Sequence, residues 1–102
     1  EIILYRPNEL ADHIEVQIKE NTVWLNQDQL AQLFNRDQSV ISRHIKNVFN
    51  EGELEVKSNM QKMHTPNSDK PVAFFNLDVI ISVGYLLKSK QGTQFRIWAT
   101  QT

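Results

Sequence analysis

Cysteine is absent from the chain, which excludes disulfides, thiol nucleophiles and cysteine-held zinc together and suits a reducing interior. Glycine and proline are scarce, at three residues each. Gly52, Gly84 and Gly92 stand too far apart to cradle a phosphate, and no serine sits in a Gly-x-Ser-x-Gly elbow. Long apolar runs are also missing. The longest, Val79 to Leu87, falls far short of the roughly 20 residues that a membrane-crossing helix needs. No basic-then-apolar leader stands at the start, so the expectation is a cytoplasmic protein that makes no use of a membrane. Charge of one sign is lacking too, since the formal net charge is −1.

What remains is 102 residues, 40% of them apolar, which fits one domain spanning 1–102 with one core. The opening at Glu1 instead of Met leads us to expect an N-terminal fragment of a longer protein. A chain this short exposes much of its surface, so cover from residues beyond Thr102 or from a partner is expected. Charge is unevenly placed: residues 1–28 carry six acids and two bases, while residues 29–102 carry six acids and nine bases.

Along the chain, Ile2 to Arg6 is apolar and β-branched before Pro7-Asn8 breaks it, and His13 to Ile18 alternates as a half-buried strand. Lys19-Glu20-Asn21 makes a polar turn, and Thr22 to Leu25 returns as a third strand of a small antiparallel sheet. Asn26 with Gln29 forms a capping-box pattern, predicting a helix from about Gln27 to Phe34. Asn35-Arg36 interrupts it. Asp37 then caps a second helix on which Val40, Ile41, Ile45, Val48 and Phe49 recur at helical spacing, closed by Gly52. Val56 to Met63 and Val72 to Phe75 read as a hairpin with a floppy tip from His64 to Pro71. Asn76 caps an apolar helix from Leu77 to about Leu87. Thr93 is positioned to cap one more, whose apolar Phe95, Ile97 and Trp98 are expected to face missing residues or a partner.

Two short helices joined by about three residues, the second longer and capped, match the helix-turn-helix arrangement, in which the second helix enters the major groove. With its apolar positions turned inward, that helix presents Gln38, Ser39, Ser42, Arg43, Lys46 and Asn47. Gln and Asn pair with adenine edges, Arg with guanine, and Ser or Lys with phosphate oxygens. No acid sits among these six residues. Arg36 in the turn is a candidate phosphate clamp, as is Gln27 beside the free amides of the first helix. Lys57, Lys62 and Lys70 on the hairpin complete a winged pattern, although exposed hairpins also carry lysines to protect their edges. His44 is open between a phosphate contact and a partly buried packing residue.

Other chemistries find little support. His13, His44 and His64 lack paired ligand spacing, so no metal or other cofactor is expected. Glu51, Glu53 and Glu55 read as a solvated edge, and no catalytic residue is assigned. Trp24, Trp98, Phe34, Phe49, Phe74, Phe75 and Phe95 would stack on single-stranded bases only if exposed, and most stand at core spacing.

Several blocks carry a family resemblance: Thr22 to Leu25, Gln29 to Phe34, Ile41 to Asn47 with Glu51 to Leu54, Asn76 to Tyr85, and Gly92 to Thr100. Through them the chain resembles the RhuM family of bacterial virulence-associated proteins, whose N-terminal region is also found in front of some Fic-type proteins. The resemblance implies an N-terminal DNA-binding-like module followed by a further C-terminal part, without supplying a reaction. Phe95 to Trp98 is also similar to the end of the Bro-N type of phage and viral DNA-binding domain.

The expectation is therefore an α+β winged helix-turn-helix with a small antiparallel sheet and a β-hairpin wing, binding double-stranded DNA as a transcriptional regulator or virulence-associated module. The alternative is a protein-interaction module that docks a C-terminal effector domain or a partner through Phe95 to Trp98. Single helix-turn-helix units usually need two half-sites for affinity, which makes a homodimer a candidate assembly, though no residue names its interface.

Overall fold

The computed structural model describes residues 1–7, 12–52, 54–66 and 68–101. Among them the chain runs β1 (Ile2–Tyr5), β2 (Ile14–Lys19), β3 (Thr22–Asn26), α1 (Gln27–Phe34), α2 (Gln38–Asn50), α3 (Val56–Asn59), β4 (Met60–Thr65), β5 (Ser68–Asn76), α4 (Leu77–Leu86) and α5 (Lys90–Gln101). The fold is α+β. Its described strands make one antiparallel sheet in the order β1-β2-β3-β5-β4. The expected break at Pro7-Asn8, the acid Glu53 and the end at Thr102 lie wholly or partly outside the described residues.

The sheet is larger than the sequence suggests. Instead of a small sheet with a separate hairpin, β5 pairs with β3 through Trp24↔Asn76, Leu25↔Phe75 and Asn26↔Phe74, so the hairpin forms the far edge of the same sheet. The inner end of β5 carries Phe74 and Phe75, both buried, and a free-standing wing would leave these rings in water. The hairpin tip is also tighter than expected. Thr65 pairs with Ser68, and Ser68 Oγ both donates to Lys70 O (3.0 Å) and accepts from Lys70 N (3.2 Å). The β2–β3 turn is a two-residue one, with Glu20 and Asn21 both in the left-handed region (φ 55° and 63°). That backbone matches the right-handed twist of the strands it joins.

Strand alternation turns Ile14 and Val16, Val23 and Leu25, and Phe75 toward the helices. There they meet Leu30, Leu33 and Phe34 of α1, Ile41 and Ile45 of α2, Val79, Ile80 and Val83 of α4, and Phe95 of α5. Trp24 and Phe74, at the alternate positions, are buried as well, and the Trp24 indole donates to Lys19 O at 2.9 Å. With five of the seven Trp and Phe rings buried and Phe49 and Trp98 partly so, these seven rings offer single-stranded bases no exposed stacking platform.

Helix boundaries follow their caps. Asn26 Oδ1 accepts from Gln29 N (2.8 Å) while Gln29 Oε1 accepts from Asn26 N (2.9 Å), the reciprocal box that starts α1. Asn35 ends α1 in the left-handed conformation (φ 53°), which Asn tolerates better than most residues. At the far end of α2, Glu51 N and Gly52 N close onto Asn47 O and Phe49 O, and Gly52 takes φ 74° as the closing glycine.

Two elements differ from the sequence reading. Val56 to Asn59 is a helical turn and not the start of a strand, because Asn59 turns its amide back to Glu55 O (2.7 Å) and offers Oδ1 to Asn76 Nδ2 (2.9 Å). Asn59 is the buried polar residue that ties α3 to Asn76, whose own Oδ1 caps α4 by accepting from Val79 N. The last helix begins at Lys90, ahead of Thr93. Two of its three large apolar side chains turn inward: Phe95 is fully buried and meets Tyr5 edge-to-face at 5.1 Å, and Trp98 lies 4.8 Å from the same ring, while Ile97 stays exposed. Burial there pushes the Tyr5 hydroxyl pKa up. Among the described residues no helix is long and apolar enough to cross a membrane.

Candidate nucleic-acid interface

The junction between α1 and α2 is Asn35-Arg36-Asp37, with Arg36 N donating to Ala31 O at 3.1 Å and the Asp37 carboxylate accepting from both Ser39 N and Ser39 Oγ. Those two hydrogen bonds hold the Asp37 carboxyl below its usual pKa, the hydroxyl contributing most. Ile41, Ile45 and Val48 pin α2 to the core, and Val40 and Phe49 lie half-buried at its margins. The opposite face then follows from the 3.6-residue period. Gln38, Ser39, Arg43, Lys46 and Asn47 are exposed there, with Ser42 half-buried, and α2 contains no acidic residue.

The predicted set divides by what each side chain already does. Gln38 Nε2 donates to Asp28 Oδ1 at 2.9 Å, and Gln27 Nε2 donates to Gln38 O at 3.2 Å, so these two glutamines lace the start of α2 to the start of α1. Gln27 is half-buried and Ser39 is engaged by Asp37. Arg36, Arg43, Lys46 and Asn47 are exposed and make no side-chain hydrogen bond within the described residues. Sequence reasoning did not foresee Asp28, an acid ten residues before Gln38 that the fold places against it. Nothing local in the sequence signals this contact, which comes from the packing of α1 on α2.

The hairpin lysines are exposed but dispersed: Lys57 on α3, Lys62 midway along β4 beside Ala73, and Lys70 on β5. The hairpin tip stands across an open cleft of 780 Å³ from the start of α1, with Gln27, Asp28 and Gln38 on one wall and His64, Thr65 and Ser68 on the other. Glu15 and His13 from the sheet also line it, so the cleft carries two acids and two histidines and no lysine or arginine. Arg6 Nη2 donates to His13 Nε2 at 3.0 Å. On this side of the molecule the cationic side chains are those of the outward face of α2 with Arg36, and the cleft beside it is polar and mildly acidic.

His44, undecided by sequence, is half-buried, and its Nδ1 is enclosed without a hydrogen-bond partner. That placement favours packing over phosphate contact at this nitrogen. Among the described residues no three His, Cys, Asp or Glu side chains gather in a way that could hold a metal ion.

The molecule is thus a small α+β domain that presents a capped, acid-free polar helix beside an edge hairpin. The model of the Virulence protein RhuM family matches residues 53–102, and over this stretch, close to half its length, the chain is similar to that family. The match takes in α3, the hairpin, α4 and α5, including the Asn76 to Tyr85 and Gly92 to Thr100 blocks. The blocks Thr22 to Leu25, Gln29 to Phe34 and Ile41 to Asn47, and with them the polar face of α2, precede the matched residues. No curated protein and no solved structure matches the chain.

Proposed function

We propose that the chain is a winged helix-turn-helix domain that binds double-stranded DNA with sequence preference, α2 being the reading helix and the β4–β5 hairpin the wing. The observation that carries this is the outward face of α2, where Arg43, Lys46 and Asn47 stand exposed and uncommitted on a helix held rigidly by its apolar side. Arg43 and Asn47 are one helical turn apart, the spacing at which one guanine and one adenine edge can be read from a single helix. Arg36 and Lys46 supply phosphate contacts, and Gln38, tied to Asp28 and Gln27, positions the helix start more than it reads bases.

In this reading the protein acts in the cytoplasm as a transcriptional regulator or virulence-associated DNA-binding module, with no cofactor and no catalytic residue. With a net charge of −1, affinity comes from the α2 face and not from the domain as a whole, so a homodimer on two half-sites is the expected working unit. The test is binding of a random-sequence duplex at low and moderate salt. Affinity that falls steeply as salt rises supports the reading, and absence of salt-sensitive binding overturns it.

A second reading, a protein-interaction module, is favoured by one observation only. Tyr85 and Leu86 on α4 are exposed, whereas in the Phe95 to Trp98 segment first expected to serve that role Phe95 is buried and Trp98 half-buried, leaving Ile97 as its exposed apolar side chain.

A further inference from the structure

On the C-terminal side of the molecule, α4 and α5 diverge around an open groove of 540 Å³. Ile81, Tyr85 and Leu86 form one wall, Thr93 and Arg96 the other, and Lys88 with Ser89 closes the end. Gly84 and Gly92 lie at the bottom, where the absence of Cβ atoms lets the two helix backbones serve as the floor. Tyr85 is 82% exposed and Leu86 39%, on a helix whose other large side chains are largely packed. A tyrosine and a leucine left beside a concave apolar floor, with an arginine opposite, make the composition from which interface anchors are drawn.

The two charged residues that line this groove, Lys88 and Arg96, are both cationic. From Val79 to Gln101 the chain has Lys88, Lys90 and Arg96 and no acidic residue. Within the described residues, none of the three side chains is engaged by a hydrogen bond or an ion pair. An apolar floor gives phosphates and base edges nothing to bond, so the surface suits a ligand that is apolar at its centre and anionic along its margins.

We propose that the α4–α5 groove docks an amphipathic helix of a partner protein, its apolar stripe lying on Ile81, Tyr85 and Leu86 and its flanking carboxylates meeting Lys88 and Arg96. This is helix-in-groove recognition, in which residues at i, i+3, i+4 and i+7 fill the groove and charges along the margins fix orientation and choice of partner.

The test uses the 102-residue chain and a fluorescein-labelled, helix-stapled peptide with leucines at i, i+3, i+4 and i+7 and glutamates on both flanks, read by anisotropy. A second peptide replaces the glutamates with lysines. The expected result is that the acidic peptide binds at least about fivefold more tightly than the basic one at low salt. Lys88→Glu together with Arg96→Glu should reverse that order, and Tyr85→Ser should weaken acidic-peptide binding several-fold with an unchanged Tm, since the ring is exposed. Equal binding of the two peptides, or a preference that survives the charge reversal, overturns the proposal. So does loss of duplex affinity in the reversed variant with no peptide preference in either form, which would make this a phosphate-contacting surface. A chain that dimerises through Tyr85 and takes up neither peptide would assign the groove to a second copy instead.

Discussion

Gly84 and Gly92 face one another where α4 and α5 meet, so closely that a Cβ on Gly84 would lie 3.3 Å from the Gly92 Cα and one on Gly92 would lie 3.2 Å from the Gly84 Cα. The Phe34 ring from α1 closes the same point, at 3.3 and 3.2 Å from those two positions. Three helices are thus locked at one contact, and backbone atoms on the other side cannot rotate away as a side chain would. Alanine at either glycine gains up to about 1 kcal/mol in helix propensity but should lose more by overpacking, roughly 1–3 kcal/mol. Chemical denaturation should show both single variants less stable than the parent. A neutral or stabilised Gly92→Ala would mean that the contact is looser than described.

Asn59 offers a second test of how the matched half is assembled. Its amide joins Glu55 O to Asn76, so Asn59→Ala removes both bonds, leaves the Asn76 amide with the longer contact to Ser58 O (3.5 Å), and should cost about 1–3 kcal/mol. Asn59→Asp keeps the acceptor but loses the donation to Glu55 O, and should fall between alanine and the parent in Tm.

His44 is expected to behave in the opposite sense. Its enclosed Nδ1 has no partner, so His44→Leu removes an unpaired polar atom while keeping apolar contact. Stability should stay level or rise by up to about 1 kcal/mol, with duplex binding unchanged. A marked loss of DNA affinity on that substitution would make the histidine a contact residue after all.

Asp37 gives a pH-dependent signature. Hydrogen bonds from Ser39 lower its carboxyl below the ordinary value of 3.8, so its folded-state pKa is depressed relative to the unfolded chain. The stability it contributes is therefore complete above the unfolded pKa and is lost as pH falls through the lowered folded value. Asp37→Asn keeps an N-cap acceptor without a titrating group. Thermal melts should show the difference between parent and variant narrowing as pH falls below about 4, and a constant difference would contradict the hydrogen bonds described.

Much of this architecture was written in local patterns. The capping box at Asn26 and Gln29, the cap at Asp37 and the closing glycine at Gly52 each use chemistry within a few residues, and each lies where its residue types place it. What local pattern did not carry was long-range pairing. Nothing near Phe74 announces that β5 will join β3, and nothing near Tyr5 announces that its ring will cover Phe95 and Trp98 from the opposite end of the chain. The candidate reading face was legible for the same reason as the caps, being the complement of an apolar stripe on one helix. Its neighbour Asp28 was not, because that contact exists only once α1 packs on α2.

Asp28 accordingly makes its own forecast. A carboxylate held at the start of α2, the proposed reading helix, opposes phosphate approach, so Asp28→Asn should strengthen binding to a random duplex about two- to fivefold at low salt, with the gain fading as ions screen it. A weakened complex would indicate that Asp28 orients Gln38 for base contact.

The face of α2 is tested most directly by replacing Arg43 and Lys46 with alanine together and measuring duplex affinity across a salt series alongside the Tm. Both side chains are exposed and unpaired, so the Tm should stay within about 1–2 °C of the parent. Affinity should fall at least about tenfold at low salt, and the slope of log K against log salt should become shallower by roughly 2. Unchanged affinity and slope in a folded double variant would contradict the assignment of α2 as the DNA-reading helix.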